Sequence, residues 1–493
     1  MTMSDSPFAG LEPAAVWSHF ATLCAVPRRS KEEGALRDRL LAWAEERGLE
    51  ARVDAAGNLL VRKPASAGRE GHPTVVLQAH LDMVCQKQPD SDHDFSRDPI
   101  RPVLKDDWMV AETTTLGADN GIGAALILAA LEDRTTVHGP LEALLTVDEE
   151  AGMGGARGLE PDLLAGRLLL NLDTEEWGEF YVGCAGGLDV NVERRDPAEM
   201  PPAGHRAFRI VLSGLQGGHS GIDIHRGRGN AIKLLVRILR DLEGEGLRIS
   251  ELRGGTARNA LPRECEAVVT LPLAGAAALE SRLAEWQALL RRELAGVDEG
   301  LRLSAALASP GQVMAPSEQA IWLASLHAAP QGVRRMSVAV PNVVETSDNL
   351  GVVELGPDGG SCTFMVRSLS DSGSAALAEE IVSLFALSGT RAIPMGHYPG
   401  WAPNAASFLL MRCLEVYRRE FGADAGIQVI HAGLECGLIG ARFPGMDMVS
   451  FGPTIRGAHA PGESVKVSSV AQCWQLLKAI LAEAAGPDAS PSG

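Results

Sequence analysis

The stretch Thr74-Val-Val-Leu-Gln-Ala-His80-Leu-Asp82 begins as a short β-branched apolar run and closes on an imidazole and a carboxylate two residues apart. Such a run, bounded by polar turns, reads as a buried parallel strand. Side chains at i and i+2 share a face, so His80 and Asp82 project together. The pattern returns along the chain. Leu141 to Val147 runs into Asp148-Glu149-Glu150, Arg167 to Leu172 into Asp173, and Met446 to Phe451 into a loop carrying His459. Gln428 to Ile430 reads as one more buried strand. Between the first two lies the turn Leu116-Gly-Ala-Asp119-Asn120, followed by Gly121 to Leu131 (GIGAALILAAL), small and apolar as a helix packed on a sheet should be. Strands alternating with helices predict an α/β layered domain. In open α/β sheets ligands bind beyond the carboxyl ends of the strands. Four strands therefore deliver metal-type ligands to one edge of one sheet.

Two imidazoles with carboxylates and no thiolates fit zinc, cobalt or manganese at a catalytic site. Asp119, placed between two such groups, can bridge two ions. A pair roughly 3.5 Å apart would clamp both an attacking water and a scissile carbonyl. Asp82 can accept the other ring N–H of His80 and fix its tautomer. Glu149 sits beside a ligand without needing to be one, and can take a proton from the attacking water and pass it to a leaving amine. Each piece alone has an ordinary reading: a polar strand end, a solvated acidic run, an N-cap, a loop histidine. Their joint occurrence at successive strand ends favours a metal site.

The chain has 493 residues, too many for one ordinary core. From about Gly187 to Gly396 the pattern changes. Phe208–Ser213 and Glu266–Leu273 read as strands, with Asn230–Leu242 and Ala276–Leu294 as helices. Ser337–Glu345, Gly351–Leu355 and Ser361–Val366 then read as strands, and Ser374–Leu387 as helix. This predicts two tandem α+β units forming a lid, residues 187–396, inserted into a catalytic domain of residues 1–186 and 397–485. A disordered tail, 486–493, follows.

Acidic residues number 63 against 45 basic, a formal charge of −18, which argues against nucleic acid or an anionic membrane as partner. The eight cysteines are scattered without a C-x-x-C pair, so neither a disulfide framework nor a thiolate zinc site is expected. Ser18 to Leu49 reads as charged amphipathic helix, interrupted by Arg28, Arg29, Lys31, Glu32 and Glu33. No signal peptide and no apolar run long enough to span a bilayer is expected, so the chain reads as cytoplasmic. The Gly433-Leu-Glu-Cys-Gly437 loop, between a strand and a helix, could offer backbone N–H groups to an anion.

His80-Leu-Asp-Met-Val, Gly117-Ala-Asp-Asn-Gly-Ile-Gly, Asp148-Glu-Glu-Ala-Gly-Met and Leu172-Asp-Thr-Glu-Glu-Trp-Gly-Glu resemble the aminoacyl-histidine dipeptidase, or cytosol non-specific dipeptidase, branch of the M20 metallopeptidases. The resemblance continues through Gly217-Gly-His-Ser-Gly, Arg258-Asn-Ala-Leu-Pro, His431-Ala-Gly-Leu-Glu-Cys-Gly and Ser450-Phe-Gly-Pro, and reaches about Ala485. It implies a phosphorylase/hydrolase-like catalytic domain with a mostly parallel sheet flanked by helices, and hydrolysis of unblocked dipeptides, including Xaa-His. It implies two divalent ions, zinc first, with cobalt or manganese as alternatives. One would be held by His80 and Asp173, the other by Glu150 and His459, with Asp119 bridging, Glu149 as base and Asp82 orienting His80. It further implies a cis peptide after Asp119, an oxyanion-stabilising lid histidine matching His219, a carboxylate-binding lid arginine matching Arg367 with Asn259 as a similar candidate, and a homodimer. Where relatives have His-Ser-Pro-Gly-Glu, this chain has His459-Ala-Pro-Gly-Glu463, so a hydroxyl beside the imidazole is missing. Two other readings stay open: a deacylase or carboxypeptidase of the same clan, and a metal-bearing scaffold without turnover.

Overall fold

The computed structural model describes residues 6–484 apart from 310, 339 and 405; the expected tail lies outside the described residues. The chain divides into two compact units. The first gathers the chain up to Gly183, Asn404–Val429 and the segment from Leu434 onward. The second comprises Cys184–Pro403 and Ile430–Gly433. The return to the first unit thus falls at Asn404, later than residue 397 where the sequence reading put it.

The first unit is built on an eight-stranded sheet in the order Glu50–Val53, Leu59–Lys63, Leu141–Thr146, Val75–His80, Leu168–Asn171, Asp447–Ser450, Glu179–Cys184 and Gly426–Ile430. Its four central strands are parallel, with His80 opposite Thr146, Gln78 opposite Asn171, and Ser450 opposite Asn171. Antiparallel strands flank them. The sheet is therefore mixed, with its parallel part confined to the strands that end in the candidate ligands. Gly426–Ile430 is not the buried parallel strand expected around Gln428; it lies at the sheet's edge with Ile427 and Gln428 exposed, which is why its side chains need not be apolar.

Helix Ala118–Glu132 packs against strand Val75–His80 and helix Ala14–Ala25, and it is buried all round, from Gly121 to Leu131 without a break. A helix apolar on every face can exist only inside a core, and its small residues let neighbours approach. The expected single helix from Ser18 is two, Ala14–Ala25 and Gly34–Glu46. Pro27 lies in the break, where a helix interior would lose a hydrogen bond.

The break has a use. Arg28, one of the charged residues that interrupt the expected helix, is 2% exposed. It donates from Nη1 to the carbonyls of Leu81 (2.9 Å) and Asp82 (2.8 Å), and from Nη2 to that of Gly117 (2.5 Å). One planar guanidinium thus ties the loop after His80 to the loop before Asp119. On the same turn the buried Glu463 carboxylate accepts the backbone N–H groups of Leu116, Gly117, Ala118 and Asp119 at 2.7–3.2 Å. These donors open a helix and have no intrahelical partners.

The second unit is a nine-stranded sheet covered by helices. Its order is Arg302–Leu307, Arg206–Ser213, Cys265–Leu271, Arg248–Gly254, Val344–Gly356, Gly359–Ser368, Gly186–Arg195 and Arg391–Tyr398, with Gly332–Met336 also paired to Val344–Gly356. The two expected α+β halves join into this single sheet where Leu252, Arg253 and Gly254 pair with Leu355, Glu354 and Val353. Ser337–Glu345 is not one strand: Met336 pairs with Val344, and Ser337 N–H closes a turn on Val343 O at 2.8 Å. Helix Ala231–Glu243 buries one continuous stripe on this core, including Leu235, Ile238, Leu239 and Leu242, and Asn230 caps it by accepting from the N–H groups of Ile232 and Lys233. Among the described residues of the chain, no helix is long and apolar enough to cross a membrane.

Glu463→Ala would strand four buried N–H donors, and we expect it to lower stability by about 3 kcal/mol or more, read as a fall in the urea midpoint. Glu463→Gln, which keeps one acceptor oxygen, should lose less.

Candidate metal centre

The carboxyl ends of the four parallel strands and the turn before helix Ala118–Glu132 bring His80, Asp82, Asp119, Glu149, Glu150, Asp173 and His459 together within the first unit. Asp119 lies at the centre. Its Oδ1 is 3.2 Å from His80 Nε2 and its Oδ2 is 3.0 Å from His459 Nε2. His80 Nε2 is also 3.5 Å from Asp173 Oδ1, and His459 Nε2 is 3.2 Å from Glu150 Oε1. Ligand atoms of His80, Asp119 and Asp173 lie within 4.8 Å of one another, as do those of Asp119, Glu150 and His459. A further group of this kind, His80 with Glu149 and Glu150, overlaps both. None includes a thiol.

Local backbone serves this convergence. The Asp119–Asn120 peptide is cis, and Asp148 and His459 adopt φ of 56° and 63°, a left-handed conformation uncommon outside glycine and found where a site over-determines the chain. Asp82, fully buried, does more than the orienting role read from sequence. Its Oδ1 is 3.2 Å from His80 Nδ1. The same carboxylate accepts the backbone N–H groups of Glu149 and Glu150, both at 3.1 Å, and the Ser30 hydroxyl at 2.7 Å. Burial opposes its charge, but the paired His80 and these donors hold its acidity at about 2.

The electrostatics are those of an anionic pocket. Burial pushes the Glu149 carboxyl well above its ordinary range, and Asp173 up to about 6, the neighbouring carboxylates adding to each. Hydrogen bonds to Asp119 and Glu150 raise His459 to about 11. Glu150 Oε1 is buried with only the His459 ring nitrogen beside it. Five carboxylates around two imidazoles form a donor set suited to divalent cations.

The second unit holds the other predicted side chains. Strand Gly218–His219 pairs with Ala260–Leu261, and Ser220 N–H donates to Asn259 O at 2.9 Å, which sets Asn259 beside His219. His219 Nδ1 accepts the N–H groups of Gly221 (3.2 Å) and Ile222 (3.0 Å). In the neutral ring the proton therefore sits on Nε2. Burial and the adjacent Arg367 lower this histidine to about 4, so it is neutral at physiological pH. Arg367 is 5% exposed; it donates to Tyr398 Oη at 2.9 Å and Ser220 Oγ at 3.4 Å, and it has no carboxylate ion pair among the described residues.

Gly437 departs from its expected role: its N–H donates to Leu434 O at 3.0 Å inside helix Glu435–Arg442, and is not free for an anion. Gly433 groups with the second unit and Gly437 with the first. Arg28, Glu463, Ser30 and Tyr398 were missed in the sequence. Glu463 alone carried a signal, as the last residue of His459-Ala-Pro-Gly-Glu463.

Residues 210–298 match the model of a peptidase dimerisation domain of the M20 type. The chain is 45% identical over 480 residues to the cytosol non-specific dipeptidase of Escherichia coli, covering 97% of this chain and 99% of that protein. The crystal structure of the aminoacylhistidine dipeptidase of Vibrio alginolyticus superposes with a TM-score of 0.88 at 44% identity, over 98% and 99% of the two chains. Aminopeptidase PepT of Bacillus cereus shares the fold, with a TM-score of 0.56 at 17% identity over 97% and 100%. The chain belongs to the M20 peptidases, in the family of the cytosol non-specific dipeptidases.

Because Asp82 holds an imidazole and two backbone amides at once, Asp82→Ala should weaken zinc binding by about 10- to 100-fold, measured by competition with a chromogenic chelator.

Proposed function

We propose that this chain is a cytoplasmic dipeptidase that hydrolyses unblocked dipeptides, Xaa-His among them, at two divalent cations, zinc first among them. The observation that carries this is Asp119 presenting one oxygen to each of two imidazoles, at the junction of two three-residue ligand groups. His80 and Asp173 would hold one ion and Glu150 and His459 the other, with Asp119 shared. Bound there, the ions would supply Lewis acidity toward water and the peptide carbonyl.

The remaining chemistry falls to side chains. Glu149, beside a ligand but outside both Asp119-centred groups, takes a proton from the water as its oxygen bonds to the carbonyl carbon. It returns that proton to the amine nitrogen as the C–N bond breaks. In the second unit, His219 has the form an oxyanion requires: a neutral ring whose Nδ1 is occupied and whose Nε2–H is the donor. To Arg367 we assign the substrate carboxylate, and to Asn259 a neighbouring polar contact. The match of residues 210–298 to a dimerisation domain supports a homodimer, and His219 lies inside that segment.

Glu149→Gln should retain bound metal yet lose about 10²- to 10⁴-fold in kcat on a simple dipeptide. Activity preserved in that variant, or in fully chelated protein, would refute the assignment. A purified enzyme that cleaves N-acetyl amino acids and ignores dipeptides would favour the deacylase instead. Arg367→Lys, losing a planar fork, should raise KM by about tenfold with a smaller change in kcat, in steady-state assays on dipeptides.

A further inference from the structure

Two residues inward from the ligand-bearing ends, the central strands carry polar side chains where a buried sheet would ordinarily carry apolar ones. Gln78, Asn171 and Ser450 occupy one register line across three parallel strands, and each is 0% exposed. Gln78 is two residues before His80 and Asn171 two before Asp173, so each shares a face with its ligand one pleat away. Thr146, opposite His80 on the neighbouring strand, ends three residues before Glu149.

Their shortest hydrogen bonds converge on one carboxylate. The Ser450 hydroxyl donates to Asn171 Oδ1 and the Asn171 amide to Gln78 Oε1. Gln78 Nε2 donates to Glu435 Oε2 at 2.6 Å, and the Thr146 hydroxyl to the same oxygen at 2.6 Å. Gln78 Nε2 also lies 3.2 Å from Thr146 Oγ1, and the Thr146 hydroxyl 3.3 Å from Ala79 O, but the shortest bond of each goes to Glu435, in the first turn of helix Glu435–Arg442 and 0% exposed. Its other oxygen, Oε1, is buried with no partner. A carboxyl in such a place is costly unless it is needed. Here it is the terminal acceptor: without it two buried donors lose their shortest hydrogen bonds, and the amides of Gln78 and Asn171 lose the direction that orients them.

We propose that Glu435 is a positioning residue for the metal centre, acting through Gln78, Asn171 and Thr146 to set the lateral spacing of the strands that present His80, Asp173 and the Glu149–Glu150 turn. It needs an acceptor oxygen at Oε2 and touches neither substrate nor ion. The inference rests on the ligand assignment above but not on which peptide bond is cut.

The test is zinc affinity of the purified full-length chain, by chelator competition with zinc alone, beside kcat and KM on a dipeptide and the thermal midpoint. Glu435→Leu should weaken zinc binding about tenfold or more and lower kcat with KM within about twofold. Glu435→Gln, which still offers an oxygen to both donors, should recover affinity to within about threefold of the parent. Unchanged zinc affinity in Glu435→Leu would overturn the proposal. So would equal losses in the Leu and Gln variants, or the same loss of affinity in a remote core variant, Val470→Ala, of matched thermal midpoint. If Glu435→Leu does not fold, Gln78→Met severs the same chain with little change in volume, and unchanged zinc affinity there would overturn it as well. Weakened zinc binding with no dipeptide turnover even in the parent would instead remove the proposed activity while leaving the positioning role intact.

Discussion

Asp119 must face two imidazoles at once, in a pocket where four further carboxylates crowd the same few ångströms. Left alone, so many anions repel one another, and burial makes the repulsion stronger because little water is left to screen it. The raised pKa values of Glu149 and Asp173 express this directly, burial acting first and the neighbouring carboxylates adding to it. Divalent charge resolves the conflict when bound, but the ligands have to stand in place beforehand. Much of the first unit can be understood as the means of holding them there.

The restraints come from three directions and use different chemistry. From one side the Arg28 guanidinium pulls the His80 and Asp119 loops together through three carbonyls. From another, Glu463 gathers four successive amides at the opening of the Asp119 helix, and Asp82 gathers those of Glu149 and Glu150. Beneath the ligands, the ladder ending on Glu435 spans the parallel strands. Buried charges are costly to desolvate and are justified only where their hydrogen bonds are nearly complete. Glu463 meets that condition against backbone groups, and Arg28 does so through its two Nη atoms, though its buried Nε has no hydrogen-bond partner; backbone groups cannot change rotamer. Positions fixed in this way are stiffer than side-chain pairs would make them.

This division explains what could be read in advance. The candidate ligands were legible because they stand at the ends of apolar runs, and a strand followed by His80, Asp173 or Glu150 is a local pattern. The parallel core was legible for the same reason. Arg28 was not, since a basic residue next to Arg29 and Lys31 looks like any solvated face until a carbonyl from a distant loop is brought to it. The ladder was equally hidden: Gln78 and Asn171 merely interrupt apolar strands, and their meaning depends on cross-strand register, which no single segment contains. Where Ser337–Glu345 was read as one strand, alternation was present but the turn at Ser337–Val343 was not foreseen. The Gln428 strand was misplaced because an edge position relaxes the demand for apolar residues.

The second unit handles its buried and half-buried cations in two ways, and the contrast bears on function. Arg194 donates to both oxygens of Glu318, which is 1% exposed, at 2.8 Å. Lys233 is held by the carbonyls of Leu326, His327 and Ala329, a helix end where a cation belongs. These arrangements are complete within the fold. Arg367 is more deeply buried than either, yet among the described residues its fork donates to neutral hydroxyl oxygens alone. Burial lowers its basicity, and among the described residues no carboxylate is paired to it to restore the balance. A fold able to supply Glu318 to one arginine and three carbonyls to a lysine gives this guanidinium no anion among the described residues. That contrast supports the proposed assignment of Arg367 to a substrate carboxylate.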